Sequence, residues 1–60
     1  MMFKIIITGN TFPIKCFLKD QDFFWNHLTK EWEKIVDDKN FPVYIPKNYS
    51  NTITIQRLEI

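Results

Sequence analysis

With sixty residues and one cysteine, Cys16, the chain has no internal disulfide that could hold a small fold together. A domain of this size lies near the lower limit for folding without a disulfide, a metal or an oligomer. Six Phe, two Trp and two Tyr can still build a compact core, since each aromatic side chain buries roughly 150–250 Å². The sequence therefore predicts one small domain over residues 1–60, and the lone thiol predicts a reducing, cytoplasmic location.

The charges of the chain nearly cancel, with eight Lys and Arg against seven Asp and Glu and a net charge of +1. So small an excess creates no long-range field that would attract nucleic acid or an acidic membrane. The apolar N-terminal run is too short for a signal peptide or a membrane span, so we expect no membrane association.

The first third of the chain predicts a strand followed by a short helix. Phe3–Ile7 is rich in β-branched residues, which favour a buried strand, and a Gly-Asn turn follows it. Thr11 or Asn10 can then cap a helix from about Phe12 to Gln21, because Pro13 fits the first helical turn.

This helix is predicted to have two unlike faces. Ile14, Phe17 and Leu18 recur at helical spacing and form an apolar face. Lys15 and Lys19 share the opposite face, one helical turn apart. The pattern predicts a helix that packs on the core and presents two amines to solvent.

Residues 22–37 fit two interpretations. Trp25, Leu28, Trp32 and Ile35 recur at spacings of 3, 4 and 3, which is typical of a helix running from Asp20 or Asp22 to Asp37. The same segment also fits a strand at residues 23–25, a loop at 26–29 and a strand at 31–36, with both indoles facing one core. We adopt the hairpin interpretation, in which both tryptophans are interior residues.

The remainder of the chain predicts extended structure. Phe41–Pro46 contains two prolines and is expected to be an edge strand or a covering loop. Lys47–Asn51 is a turn, and the Thr-Ile alternation that begins Thr52–Ile60 predicts a half-buried strand. If this last strand lies at a sheet edge, it can pair with a partner's strand or with its own copy to form a homodimer.

Between residues 4 and 34 the chain keeps the order and spacing of a small module, through Ile7–Lys15, Leu18 with Lys19, Trp25 with Asn26, Lys30 and Trp32. The module occurs in phage and plasmid proteins and has a Gly-Asn-Thr-aromatic-Pro helix start before a hairpin with two tryptophans. The segment also resembles the HARP domain appended to annealing helicases. The resemblance implies an α+β fold with a β-α-β-β core and additional C-terminal strands, association with proteins that handle nucleic acid, and no catalytic residue.

The chain departs from this module at Asp22 and Phe23, where the module has two small residues before its first tryptophan. Larger residues suit a sharp turn out of the helix less well, and this departure favours the long-helix alternative.

The residues needed for catalysis or metal binding are scarce. His27 is the sole histidine and Cys16 the sole thiol, and a lone cysteine is usually a small buried apolar residue. Asp22 with these two falls short of a zinc ligand set. A single glycine does not make a phosphate-binding loop. We therefore expect no enzyme activity, no metal and no cofactor.

Nucleic-acid binding has more support, because Lys15 with Lys19 and Lys30 with Lys34 form basic pairs near Phe12, Trp25 and Tyr44. Lysines contact phosphates, and aromatic rings can stack on bases. Most of the aromatics are nevertheless needed in so small a core. The single Arg57 also argues against reading of guanine by bidentate arginine contacts as the main mode of recognition. The residues predicted to contact nucleic acid or a partner are Lys15, Lys19, Lys30, Lys34, Tyr44, Tyr49 and Arg57.

The sequence thus predicts a non-enzymatic binding module, encoded by a phage or mobile element, that acts on nucleic acid or on a complex that processes it. The alternative is a protein-directed inhibitor of a host defence nuclease, of the anti-CRISPR kind, which never touches nucleic acid. Trp, Tyr and Arg are the residue types that anchor protein interfaces and support this second hypothesis.

Overall fold

The structure, a computed structural model, describes all sixty residues as one α+β domain. The longest helical segments have six residues, so no helix has the length and apolar character needed to cross a bilayer. In chain order the elements are strand β1 (Phe3–Gly9), a 3-10 helix (Phe12–Ile14), helix α1 (Lys15–Asp20), strands β2 (Phe24–Asn26) and β3 (Glu31–Val36), a second 3-10 helix (Lys47–Thr52) and strand β4 (Ile53–Glu59).

The four strands form one antiparallel sheet in the order β2-β3-β1-β4. Side chains alternate along a strand, so β1 divides them between two faces. Ile5 and Ile7 lie on the face that packs against α1, which we call the inner face. Lys4 and Ile6 lie on the opposite, outer face. The register carries this division across the sheet, with Ile7 opposite Trp32 and Ile6 opposite Glu33.

The hydrophobic core lies between the inner face and α1. Burying a large aliphatic or aromatic side chain contributes roughly 1.5–3 kcal/mol, so a small set of such residues holds the layers together. The segment 41–46 closes the side of this core and adds partly buried residues, which confirms the covering-loop interpretation. The buried set comprises Ile5, Ile7, Ile14, Leu18, Phe23, Trp32 and Val36.

The outer face carries an ion pair surrounded by apolar side chains. The Lys4 Nζ lies 3.3 Å from Glu33 Oε1, and the Asn26 side-chain amide donates to Glu33 Oε2. Phe24 and Ile35 on the same face are exposed. Because α1 and the segment 41–46 both pack on the inner face, this side of the sheet is open to solvent.

Residues 22–37 form the hairpin, and the long-helix alternative is wrong. β3 spans Glu31–Val36 as predicted, and β2 is Phe24–Asn26, one residue later than expected. The turn that joins them is closed by the Asn26 Oδ1, which accepts hydrogen bonds from the backbone N–H groups of Leu28 (3.0 Å) and Thr29 (3.3 Å).

Asp22 makes the sharp turn that its size seemed to disfavour. Its φ of 66° places it in the left-handed region, where Asp and Asn are tolerated better than most residues. The N–H of Phe23 donates to the carbonyl of Leu18 and that of Asp22 to the carbonyl of Lys19. This is a Schellman motif, and Phe23 and Leu18, the two positions whose apolar side chains commonly accompany it, both belong to the buried core.

The first helical segment begins without a side-chain cap. Neither Asn10 nor Thr11 caps it, and the expectation that one of them would is wrong. The Thr11 hydroxyl instead accepts a hydrogen bond of 3.2 Å from the indole Nε1 of Trp32. Both groups are buried, so this bond satisfies a donor that water cannot reach.

Strand β4 completes the sheet but contributes little to the core. It lies at one edge, where it pairs with β1 alone. Only Ile53 is partly buried and the rest of the strand is exposed, so the expected half-buried pattern is wrong beyond that residue. The Arg57 Nη1 donates to the carbonyls of Lys39 (3.1 Å) and Phe41 (2.7 Å). These two bonds hold residues 39–41 against β4.

Candidate functional site

One groove is present on the surface, with a volume of about 330 Å³. It lies where the start of the helical segment meets the β2–β3 hairpin, and its size is at the lower end of the range typical of small-ligand sites. Three of its lining residues are aromatic and two are basic. They are Thr11, Phe12, Lys15, Lys19, Trp25 and Trp32.

One aromatic ring of the groove lining, Trp32, is anchored in the core. Trp32 is only 5% exposed and is held by its hydrogen bond to Thr11. Trp25 lies directly across the strand pair from it, and the two ring centroids are 5.5 Å apart with an interplanar angle of 59°. A tilted aromatic pair at this distance is a favourable packing geometry.

Two of the aromatic rings that line the groove are exposed. Trp25 is 43% exposed and Phe12 is 76% exposed, so the expectation that both tryptophans are interior is wrong for Trp25. Phe12 lies in the 3-10 helix just ahead of Pro13, which fixes the backbone at this point. Both rings therefore offer π-surface to a ligand without any rearrangement of the core.

Two lysines follow Phe12 along the same side of the helical segment. The Lys15 Nζ lies 4.7 Å from the centroid of the Phe12 ring, within the range of a cation–π contact. Lys19 follows one turn later and also lines the groove. The ion pair of the molecule joins Lys4 to Glu33 on the outer face, so neither groove lysine is neutralised by a carboxylate.

Two of the other predicted site residues are engaged within the fold. The Lys34 Nζ donates to the carbonyl of Gln21 (2.6 Å) and lies 4.5 Å from the centroid of the Phe41 ring. Arg57 donates to the backbone carbonyls of Lys39 and Phe41. Both cations fasten segments together, and neither lines the groove.

The remaining predicted residues are exposed but lie apart from the groove lining. Tyr44 packs against Phe17, with ring centroids 5.8 Å apart. Tyr49 belongs to the second 3-10 helix, and Lys30 occupies the β2–β3 turn with a φ of 58°. Of the seven predicted residues, the structure therefore brings only Lys15 and Lys19 together.

The groove is also lined by Thr11, Phe12, Trp25 and Trp32. Phe12 and Trp25 were considered as stacking aromatics, but none of the four was in the predicted set. A signal for one of them was present, because Phe12, Lys15 and Lys19 stand at spacings of 3 and 4, which places them on one side of a helix. The exposure of Trp25 carries no such signal, since it depends on how the helix and the hairpin meet.

The residues considered for chemistry are not assembled into a site. Cys16 is exposed on α1, and His27 lies in the exposed turn of the hairpin. No hydrogen bond joins their side chains. No group of three His, Cys, Asp or Glu side chains is arranged to hold a metal ion.

Comparisons of the chain with protein-family models, with curated proteins and with solved structures gave no match. The resemblance to the phage and plasmid module and to the HARP domain stays a prediction.

Proposed function

We propose that the chain is a non-enzymatic binding module that takes single-stranded nucleic acid in the groove, on its own or within a complex that processes nucleic acid. The observation that supports this proposal is the pairing of two exposed aromatic rings, Phe12 and Trp25, with two unpaired lysines around one groove. Aromatic rings stack on bases and lysines contact phosphates.

The geometry favours a single strand over a duplex. Bases in a duplex are stacked on one another and hide the faces that an aromatic ring would contact, whereas an unpaired base can enter between Phe12 and Trp25. Lys15 and Lys19 carry point charges that contact phosphates of any sequence. Arg57, the one guanidinium, is engaged elsewhere, so we expect little discrimination between bases.

A cytoplasmic phage or mobile-element protein is the context that the resemblance and the free thiol suggest for such a module. Its action there would be to occupy or guide single strands for a larger nucleic-acid-processing complex.

The test is a fluorescence-anisotropy titration of labelled single- and double-stranded DNA and RNA at several salt concentrations. Phe12→Ala and Trp25→Ala should each weaken single-strand binding about 5- to 150-fold, which corresponds to the ~1–3 kcal/mol of one base stack. Trp25→Phe, which keeps an aromatic ring, is the matched control and should retain most of the affinity.

The salt dependence tests the lysines separately. Two phosphate contacts on a single strand give a slope of about −1.4 in a plot of log affinity against log salt, since each contributes roughly 0.7. The double variant Lys15→Gln/Lys19→Gln replaces both groove lysines and should remove that salt dependence. Lys39→Gln with Lys47→Gln changes the net charge equally away from the groove and should leave it. Equal losses in both double variants would contradict the proposal.

A second candidate function, a protein-directed inhibitor of a host nuclease, is favoured by the outer face of the sheet. Phe24, Ile35 and Leu58 expose apolar surface there, and such patches often mark protein interfaces. Association with a purified nuclease that persists after nucleic acid is digested, and that Phe24→Ser with Ile35→Thr abolishes, would support it. Loss of the same association in Trp25→Ala would instead point to the groove.

A further inference from the structure

The outer edge of β4 carries a row of backbone groups without partners. Ile60 donates its N–H to Met2, and Thr52 accepts from Asn10. Because hydrogen-bonded pairs alternate along an antiparallel ladder, the even-numbered residues of β4 face β1 and the odd-numbered ones face outward. The outward-facing residues are Ile53, Ile55, Arg57 and Glu59.

The two edges of the sheet differ in length. β2 has three residues and β4 has seven, and short edges are one way in which proteins avoid unwanted strand pairing. The second 3-10 helix occupies the start of this edge, because Ile53 donates its N–H to the carbonyl of Ser50. Beyond Ile53 no backbone group of the chain bonds to the outer edge of β4, and the Arg57 contacts with residues 39 and 41 come from its side chain. The edge is open from Ile55 to Glu59.

β4 also has apolar side chains that the domain leaves uncovered. Ile55 and Leu58, on opposite faces of the strand, are 37% and 49% exposed. The core has only seven buried residues, and oligomerisation is one of the ways in which domains of this size gain stability. A strand laid along this edge would cover part of both side chains and offer partners to the outward-facing backbone groups from Ile55 to Glu59.

We propose that two copies of the chain pair through β4, antiparallel, to form a continuous eight-stranded sheet with a two-fold axis at Gln56. In this register Ile53 faces Glu59 of the other copy, and Ile55 faces Arg57. The Ile55–Arg57 pairs exchange both backbone hydrogen bonds. In the Ile53–Glu59 pairs only the N–H of Glu59 donates, to the carbonyl of Ile53, because the N–H of Ile53 is bonded to Ser50. The proposed interface lies at the β4 edge of the sheet, whereas the groove lies beside β2 and β3. The proposal does not depend on nucleic-acid binding.

The register follows from comparing the alternatives. A shift that moves the axis to Arg57 places this cation opposite its own copy, and like charges directly opposite are destabilising. A shift to Ile55 leaves Glu59 unpaired, and a shift to Leu58 leaves Ile53 and Ile55 unpaired. Only the axis at Gln56 pairs all four outward-facing residues.

The first measurement is the mass of the wild-type chain by sedimentation velocity over a range of concentrations. We expect a species of twice the 7.3 kDa chain mass to grow with concentration. A monomer at all concentrations up to about 1 mM, the limit of weak association, would overturn the proposal.

The register is tested by a cysteine at the axis. Gln56→Cys, made together with Cys16→Ser to remove the exposed native thiol, should form a disulfide-linked dimer on mild oxidation. Opposed residues in a non-hydrogen-bonded pair have Cα atoms about 4.5 Å apart, which suits a disulfide. Thr54→Cys in the same background is the control, because position 54 faces position 58 of the other copy and should cross-link far less.

Charge provides a second test at the same position. Gln56→Glu and Gln56→Lys should each sediment as a monomer at concentrations where the wild type is a dimer, and an equal mixture should restore the dimer. Position 56 is exposed, so neither change should impair folding, which circular dichroism will verify. A wild-type dimer that neither charge affects would place the interface elsewhere and refute this pairing.

Discussion

The chain divides at residue 36 into two regions that contribute very differently to stability. All ten buried residues lie between Ile5 and Val36. Residues 37–60 supply only partly buried side chains to the core, Phe41, Val43, Ile45 and Ile53. The first region thus makes the core, whereas the second closes its side and adds an exposed strand.

This difference shows how a very small domain divides its tasks. The resemblance to a known module ends near residue 34, close to the point where full burial ends. The groove also belongs wholly to the first region. The second region can therefore vary with little effect on the groove, provided that it still covers the side of the core.

The largest expected effect is the difference in stability between alanine variants of two leucines, one in each region. Leu18 is fully buried and Leu58 is 49% exposed. We expect Leu18→Ala to lower the free energy of unfolding by about 2–5 kcal/mol, because it leaves a cavity in the core. A domain of this size has little more stability than that, so the variant should be largely unfolded.

Leu58→Ala should change the free energy of unfolding by no more than about 0.5 kcal/mol in dilute solution, as for other surface positions. Urea denaturation followed by circular dichroism gives both values. If Leu58→Ala lowered the free energy of unfolding as much as Leu18→Ala, both regions would contribute to the core and the comparison would be wrong.

A smaller effect is expected at the junction of the two regions. Gly9 has a φ of 105°, and a Cβ at this position would overlap the carbonyl oxygen of Thr52. Gly9→Ala should therefore cost roughly 1–3 kcal/mol in strain, and its amide chemical-shift changes should centre on residues 52 and 53. Asn10→Ala, at the exposed neighbouring position, is the control. A negligible loss of stability in Gly9→Ala would mean that the second region can move away from β1.

The smallest expected effect is a gain in thermal stability from a substitution in the first region. Asp22 occupies the left-handed position of the Schellman motif, which glycine adopts without steric cost. Asp22→Gly should raise the midpoint of thermal unfolding by a few degrees, corresponding to at most about 1 kcal/mol. Asp22→Val, with a β-branched side chain at the same φ, should lower it. A rise in both variants would contradict the assigned backbone role.

The order of the strands and the helix followed from local patterns, but the choice between hairpin and helix did not. The spacing of Trp25, Leu28, Trp32 and Ile35 satisfies a helical period. In the structure these residues are split between the inner face, the outer face and the turn. A period of seven places Trp25 and Trp32 on one side of a helix and equally well opposite each other in a hairpin with a four-residue turn.

The site residues whose positions follow from local spacing were predicted, and those whose roles depend on the path of the chain were missed. Lys15 and Lys19 follow from the helical period. The internal roles of Lys34 and Arg57 arise because residues 38–41 pass over them, and no local pattern records that path. The 43% exposure of Trp25 likewise depends on the gap between the helix and the hairpin.

The unequal surroundings of the two indoles give the molecule a pair of built-in optical reporters. Trp32 is enclosed and hydrogen-bonded to Thr11, so its emission should lie to the blue and shift only when the domain unfolds. Trp25 stands at the side of the groove, where a soluble quencher can reach it. Trp32→Phe and Trp25→Phe would isolate each signal, so that ligand occupancy and loss of structure can be followed separately in the same chain.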